Sequence, residues 1–202
     1  MSSLLPIFLK LRDRPVLVVG GGRIAAEKLP KLINAGAIIT LVARHVSAEV
    51  RALASSDSSR VSIAEREVAL TDLPGHVLVI NATDDAALNH SLAQAARGQG
   101  IWSNAVDDAA HSDFFMAGTI ERGPLIVAIG SAGRFPGLVR GLRALLEDIL
   151  PAEHMPAFSE LVAIRAALKE RLPERRERFA VLSRVGRDLA REYFALSTQG
   201  KD

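Results

Sequence analysis

Short continuous apolar runs alternate with segments of helical periodicity along the first half of the chain. Residues 15–19 and 38–42 are such runs, rich in β-branched side chains, and residues 25–34 between them have helical character. Strands that are apolar throughout are typical of a parallel sheet covered on both faces. A strand, a helix and a strand within about thirty residues form a βαβ unit, so the pattern predicts an α/β fold of the Rossmann type.

The alternation continues and then changes after residue 113. Further strands are predicted at 61–64, 77–81 and 102–105, with helices at 47–55 and 86–99. Two strands joined by a turn follow, at 114–121 and 125–129, and then a helix at 136–149. Apolar residues at three- and four-residue spacing over 156–194 predict two or three amphipathic helices interrupted by Pro173. The tail after Phe194 is expected to be disordered.

These patterns divide the chain into three predicted parts. They are a nucleotide-binding Rossmann domain at 1–113, a hairpin-and-helix module at 114–150 and a C-terminal helical domain at 151–202.

Composition narrows the function classes. Cysteine is absent, which excludes disulfides and thiolate metal sites and fits a reducing compartment. The start of the chain lacks a secretory leader, and no apolar run approaches the ~20 residues that span a bilayer, so we expect a soluble cytoplasmic protein without a membrane partner. The net charge of +2, with one Trp and one Tyr, argues against a nucleic-acid partner.

Three consecutive glycines follow the first predicted strand and open the first helix. In the pattern GxGxxA, Gly20 permits the tight turn, Gly22 lets backbone amides approach a pyrophosphate, and the small Ala25 lets the helix pack on the strand. The anion then lies against the positive end of the helix dipole. A glycine triplet alone is weak evidence, because many are simply turns. Its place between a strand and a helix predicts dinucleotide binding.

The end of the second predicted strand lacks the acidic residue that usually holds the ribose hydroxyls. Arg44 and His45 stand there instead. Arg44 can lie over the adenine, attract the 2′-phosphate of NADP, or be an exposed loop residue. The residues alone therefore leave NAD and NADP open. Pro30, inside the first helix, predicts a kink there.

Polar clusters follow two further strands, at 81–85 and 104–108. Ligands of open α/β sheets bind at the carboxyl ends of the strands. Asp107 lies where a nicotinamide should meet a substrate. The other acidic residues are more simply explained as caps of the following helices, namely Asp84, Asp85 and Asp108. Two nearby residues are interpreted as loop structure, namely His111 and Asp113, and no resident metal site is predicted.

In their order and spacing these motifs resemble the bifunctional precorrin-2 dehydrogenase and sirohydrochlorin ferrochelatase family, which makes siroheme and also forms the N-terminal part of siroheme synthase. No single motif is decisive, but together they are specific. The resemblance is carried by residues 5–8, 11–14, 18–22, 35–37, 82–85, 104–107 and 124–129, and by Ser131 and Pro136.

The resemblance implies NAD-dependent oxidation of precorrin-2 to sirohydrochlorin by an interlocked homodimer. It also implies a second activity, insertion of ferrous iron into the product, and a tetrapyrrole as the substrate. NAD is favoured over NADP on this ground alone. The cofactor contacts that we assign with the family in view, besides Gly20 and Gly22, are Arg23, Ile24, Arg44, His45 and Thr83.

The family's key aspartate corresponds to Asp107, which would act as the base or hydrogen-bond the pyrrole nitrogens. Ser131 corresponds to a serine that is phosphorylated in some members. Arg134 and Arg140, with Arg143, are candidate clamps for the substrate carboxylates or belong to a solvated or dimer-facing helix face. Residues 130–135 depart from the family pattern, which is usually richer in Ser, Gly and Thr there.

Two alternatives stay open at the level of sequence. A non-catalytic NAD sensor would bind the dinucleotide without turnover. A dehydrogenase without chelatase activity would be distinguished only by metal-insertion assays.

Overall fold

The computed structural model describes residues 4–152, 155–172 and 174–199. The chain forms two compact units. The first comprises Met1–Phe115 and Ala132–Arg134, and the second comprises Met116–Ser131 and Phe135–Asp202. The division into three domains stays a prediction.

A five-stranded sheet forms the centre of the first unit. All neighbouring strands are parallel and their order is β3-β2-β1-β4-β5. The strands are β1 Pro15–Val19, β2 Ile38–Ala43, β3 Val61–Glu65, β4 Leu78–Asn81 and β5 Trp102–Ala105. The strand order reverses direction between β1 and β4, which is where open α/β sheets bind ligands. The predicted Rossmann-like fold class is confirmed.

Helices connect these strands and cover the sheet. They are α1 Arg23–Asn34, α2 Ala48–Ser56 and α3 Ala86–Gly98, with a 3₁₀ turn at Leu70–Asp72. On one face, Leu92 of α3 belongs to the same buried cluster as Leu17 and Val19 of β1. Because successive side chains of a strand point to opposite faces, the wholly buried Val16 and Val18 face the other layer. Burial on both faces explains why these strands are apolar throughout.

Side-chain caps fix where two of the helices begin. Ser47 Oγ accepts a hydrogen bond from Val50 N at the start of α2, at 3.2 Å. Asp85 Oδ1 accepts one from Leu88 N at the start of α3, at 2.9 Å. Each bond satisfies an amide that has no partner within the helix. The interpretation of Asp85 as a cap is confirmed.

The second unit contains a hairpin and three helices. They are β6 Gly118–Arg122, β7 Leu125–Ile129, α4 Pro136–Ile149, α5 Met155–Arg171 and α6 Arg175–Gln199. The two strands are antiparallel. Arg122 Nε donates to the carbonyl oxygen of Leu150 at 2.6 Å, which satisfies a carbonyl just beyond α4 and ties the hairpin to that helix.

Two predicted boundaries in this part of the chain are wrong. The strand expected over 114–121 begins at Gly118, because the Phe114 carbonyl instead accepts a hydrogen bond of 2.9 Å from Asn104 Nδ2. The disorder expected after Phe194 does not begin there, since α6 continues to Gln199. Pro173 lies outside the described residues. α1 runs through Pro30 without interruption.

The described helices include none that is both long enough and apolar enough to cross a membrane.

Burial of α1 predicts which leucines stabilise the first unit. Leu29 is wholly buried, whereas Leu70 is 51% exposed. Leu29→Ala should lower the free energy of unfolding by about 2–5 kcal/mol, because it leaves a cavity under the sheet. Leu70→Ala is the matched control and should change it by about 0.5 kcal/mol or less. Urea unfolding followed by circular dichroism measures both, and equal losses would contradict this packing.

Candidate functional site

The glycine turn after β1 is packed so closely that two of its three residues have no room for a side chain. Gly20 has a φ of 111°, and a Cβ built on it would lie 2.3 Å from the carbonyl oxygen of Ala82. A Cβ on Gly21 would lie 2.3 Å from the carbonyl oxygen of His45. The turn is therefore in contact with the segments that leave β4 and β2. Sequence reasoning assigned no role to Gly21, because its constraint comes from a distant loop.

Gly22 has a different environment. Among the described residues other than its chain neighbours, no atom lies within 4 Å of the position that its Cβ would take. Gly22 is the N-cap residue of α1, and within the described chain no side chain caps the first-turn amides. These amides have no partner within a helix, and the helix dipole adds positive potential. The turn thus offers space and donors to an anionic group such as a pyrophosphate.

Each of the two arginines beside this turn forms an exposed ion pair. Arg23 Nη1 lies 2.6 Å from Glu27 Oε1, with 77% and 50% of the two side chains exposed. Arg44 Nη2 lies 3.0 Å from Glu67 Oε1, with 70% and 74% exposed. Such pairs contribute about 1 kcal/mol or less, so both guanidinium groups can turn to a bound phosphate or ribose. Ile24, the residue after Arg23, is half-buried.

Carboxylates do stand near the end of β2, but they come from the next strand. Glu65 ends β3, and it accepts hydrogen bonds from Arg51 Nη2 at 2.6 Å and from Val46 N at 3.3 Å. The hydrogen bond from Arg51 lowers the pKa of Glu65. Both acidic residues here, Glu65 and Glu67, hold an arginine. Sequence reasoning missed them because it searched only the end of β2.

The turn after β4 is organised by a pair that the sequence motif does not reveal. Thr83 Oγ1 donates to Asn89 Oδ1 at 2.6 Å, and Asn89 Nδ2 donates back to the Thr83 carbonyl at 2.9 Å. Asn89 is buried in α3. Because the Thr83 hydroxyl donates to Asn89 and the Thr83 carbonyl accepts from the same side chain, this pair fixes the turn against α3.

Asp107 occupies a turn immediately beyond β5. Val106 N donates to the Asn81 carbonyl at 3.0 Å, which is the last bond joining this segment to β4. Asp107 then has a φ of 61°, in the left-handed region, and its side chain is exposed. Asp is among the residues that tolerate this conformation, and such positions cluster at functional sites.

Three turns meet at one edge of the sheet. Val19, Asn81 and Ala105 are register partners across β1, β4 and β5. The glycine turn, the Thr83 turn and the Asp107 turn each begin one or two residues beyond these partners. Since adjacent strands are about 4.8 Å apart, the first and last of these turns start about 10 Å from each other. An extended dinucleotide can cross such a distance.

Asp108 is not a helix cap, so that interpretation is wrong, because the segment after it stays a loop up to β6. Its Oδ2 lies 2.6 Å from Nδ1 of His111, and the hydrogen bond from that ring lowers the pKa of Asp108. His111 also contacts the ring of His90 edge-to-face. Asp113 accepts hydrogen bonds from Arg97, at 2.7 Å from its Nη2, and thereby serves loop structure as predicted.

The candidate substrate residues lie close to the start of α4 in the sequence. Ser131 Oγ accepts a hydrogen bond of 3.0 Å from Phe135 N. The exposed Arg140 lies on α4. Arg143, on the same helix, lies with its Nε 3.3 Å from Glu147 Oε1. Arg134 is exposed and belongs to the first unit.

Comparisons with known proteins identify the family to which this chain is related. Residues 7–118, more than half of the chain, match the model of a family described as putative NAD(P)-binding. This segment contains the glycine turn, the Thr83 turn and Asp107.

The chain is also similar to larger proteins of known name. It is 42% identical over 205 residues to siroheme synthase 1 of Aeromonas salmonicida, covering 98% of this chain and 43% of that protein. It is 41% identical over 178 residues to siroheme synthase of Methylococcus capsulatus, covering 86% and 36%. The chain therefore spans less than half the length of these relatives. The resemblance inferred from the motifs is confirmed.

A solved structure has the same fold. The structure named SirC, precorrin-2 dehydrogenase, superimposes with a TM-score of 0.76 at 22% identity, covering 97% of this chain and all of that one. At that identity the likeness establishes the architecture.

The open position at Gly22 permits a clean test of the anion site. Gly22→Asp should preserve stability, because Asp is a favourable N-cap residue and its side chain has room. Its carboxylate should occupy the first-turn amides and repel a pyrophosphate, so the affinity for NAD⁺ should fall at least roughly tenfold. Gly22→Asn is the uncharged control and should lose less. Calorimetry measures both, and undiminished affinity in Gly22→Asp would contradict the site.

Proposed function

This chain belongs to the putative NAD(P)-binding family, and on that basis we propose that it oxidises precorrin-2 to sirohydrochlorin with NAD⁺, a step of siroheme formation. The names of its relatives, siroheme synthase, and of the similar solved structure, precorrin-2 dehydrogenase, support the proposal. The observation that carries it is the meeting of the glycine turn and the Asp107 turn at one edge of the sheet.

NAD is proposed to bind with its pyrophosphate at the first turn of α1. Gly20 and Gly22 let the backbone come close, and the uncapped amides donate. Arg23 and Ile24 follow directly in the first turn. The adenosine end is assigned to Arg44 and His45, which directly follow β2, and the backbone of the Thr83 turn supports the other end. When bound, NAD⁺ supplies a hydride acceptor.

The oxidation removes a hydride and a proton from precorrin-2, so that NADH and one proton are produced beside sirohydrochlorin. Asp107 is proposed to lie against the reacting macrocycle. Its carboxylate is exposed and can accept that proton, or it can hold the pyrrole N–H groups by hydrogen bonds. The left-handed backbone at Asp107 fixes the direction from which the residue approaches.

The substrate is a polycarboxylate, so cationic and hydroxyl side chains are expected around it. Arg134, Arg140 and Ser131 are proposed to bind its carboxylates, since a guanidinium recognises a carboxylate with two parallel hydrogen bonds. The side chains of both arginines are exposed, and Ser131 Oγ retains its own proton for donation while it accepts from Phe135 N.

Insertion of ferrous iron into sirohydrochlorin is proposed as a second activity of the same site. The relatives' name, siroheme synthase, favours it. Iron is here a substrate. Two pyrrole protons must leave as the metal enters, and Asp107 is placed to accept one of them.

We also propose that the chain forms a homodimer through its second unit. α4, all of whose 14 residues are described, contains no buried residue. Its apolar side chains at Leu138, Leu142 and Leu145 are 48%, 39% and 58% exposed, at the spacing of one helix face. A two-stranded hairpin is marginal on its own. A second copy would bury this face.

Substitutions at Asp107 separate its two proposed roles. Asp107→Ala should lower kcat for NADH formation from precorrin-2 by about 10²–10⁴-fold, with NAD⁺ affinity unchanged. Asp107→Asn should lose as much if the carboxylate is a base, and much less if it only accepts hydrogen bonds. Asp84→Asn, on the neighbouring turn, is the control and should keep its rate. Iron insertion measured in the same proteins tests the second activity, and unchanged rates in Asp107→Ala would remove Asp107 from the mechanism.

The dimer proposal has its own test. Leu142→Glu should convert the protein to a monomer, because it places a charge in the proposed apolar interface. Leu70→Glu introduces the same change at an exposed leucine outside α4 and should leave the assembly intact. Light scattering coupled to gel filtration measures the mass, and a dimer that survives Leu142→Glu would place the interface elsewhere.

A further inference from the structure

Three side chains with metal-ligating atoms meet in the first unit. His90 belongs to α3, and Asp108 and His111 belong to the loop after β5. One ligand atom from each lies within 4.8 Å of the others, and all three residues are half-buried. The rings of His90 and His111 lie edge-to-face, with centroids 4.1 Å apart at 85°. Two imidazoles and one carboxylate thus surround one point.

The loop that supplies two of these residues is fastened to β5 at both ends. Ser112 Oγ donates to the Asp108 carbonyl at 2.8 Å and accepts from Ala105 N at 3.0 Å. Further along, Asp113 Oδ2 accepts from Ser103 N at 3.0 Å. His111 N also donates to Asp108 Oδ1 at 3.2 Å. Because the loop is constrained in this way, the three side chains are held near one another without a bound ion.

The chemistry of the three groups suits a borderline divalent transition metal. Imidazole nitrogen is a preferred ligand of zinc, cobalt, nickel, copper and iron, whereas magnesium and calcium prefer oxygen ligands alone. Zinc also accepts a carboxylate oxygen, which Asp108 supplies. Metal to nitrogen bonds of about 2.1 Å require ligand atoms no more than about 4.2 Å apart. In the structure the three ligand atoms lie within 4.8 Å of one another. Small rotations of the imidazole rings bring them within the required distance.

A hydrogen-bonded pair of His111 and Asp108 is the simpler explanation for two of the residues. It does not explain His90, whose ring comes from another element and brings a second nitrogen to the same point. We propose that His90, Asp108 and His111 bind one divalent transition-metal ion, which fastens the loop carrying Asp107 to α3. The site lies outside the residues assigned to cofactor and substrate, and the inference does not depend on the proposed reaction.

The test uses the full chain without a histidine tag, freed of metal by a chelator. Co²⁺ titration followed by visible absorption, and Zn²⁺ titration followed by calorimetry, should each show one ion per chain. His90→Gln, Asp108→Asn and His111→Gln should each weaken binding at least about tenfold, since even loss of a residue that only supports a ligand costs that much. Mg²⁺ in excess should not compete.

Two control variants distinguish this site from other metal chemistry. His76→Gln removes a histidine elsewhere in the first unit and should bind as tightly as the natural chain. Asp107→Asn should also bind normally, which separates the site from any metal held beside the reacting macrocycle. Circular dichroism must show the same fold in all variants.

The proposal is overturned if the natural chain binds neither ion, or if the three ligand variants bind as the natural chain does. It is equally overturned if Asp107→Asn abolishes binding and the histidine variants do not. Hydrogen exchange tests the proposed consequence. Zn²⁺ should slow exchange of the amides in residues 106–113, and an unchanged rate in a protein shown to bind Zn²⁺ would remove the fastening role.

Discussion

The architecture of the candidate site depends on one steric constraint, the close approach of the turn after β1 to the ends of two neighbouring strands. Positions 20 and 21 have no space for a Cβ, because carbonyl oxygens of Ala82 and His45 lie 2.3 Å from where it would be. Glycine at both positions lets β2 and β4 end against the turn. Gly22, one residue on, lacks such a neighbour among the described residues, so the same tight turn opens onto the amides of α1.

The sheet could be predicted from the sequence because a local residue pattern indicates each of its strands. β1 is apolar over its whole length and contains three β-branched valines, and four of its five residues are buried. The hairpin was harder. Phe114 has the apolar, aromatic character of a strand residue, yet its carbonyl accepts from Asn104 of β5 and the strand starts four residues later. A tertiary hydrogen bond between distant residues overrides local preference there, and no periodicity contains that information.

The candidate site likewise contains residues that the sequence predicts and contacts that it does not. Asp107 follows a predicted strand, and the rule that ligands bind at strand ends was enough to single it out. The pairs around it are different. Thr83 with Asn89 in α3 joins residues that belong to no common motif, and so does His90 with His111. Such contacts arise only when α3 packs beside β4 and β5. The sequence identifies the residues that follow the strands at one edge of the sheet. The residues that support them can be identified only from the three-dimensional structure.

The number of buried helix residues differs sharply between α1 of the first unit and α4 of the second. The proposed cofactor binding and substrate binding therefore have different structural requirements. In the first unit α1 buries four residues, so the turn that would hold a dinucleotide is supported by a complete core within one chain. In the second unit, α4 buries none of its 14 described residues. Ser131 and Arg140, which are proposed to hold the substrate, belong to this second unit. Because an apolar helix face needs a partner to be stable in water, ordering of the substrate residues should depend on assembly, whereas cofactor binding should not. Cofactor affinity and turnover are therefore expected to respond differently when the proposed dimer is diluted below its dissociation constant.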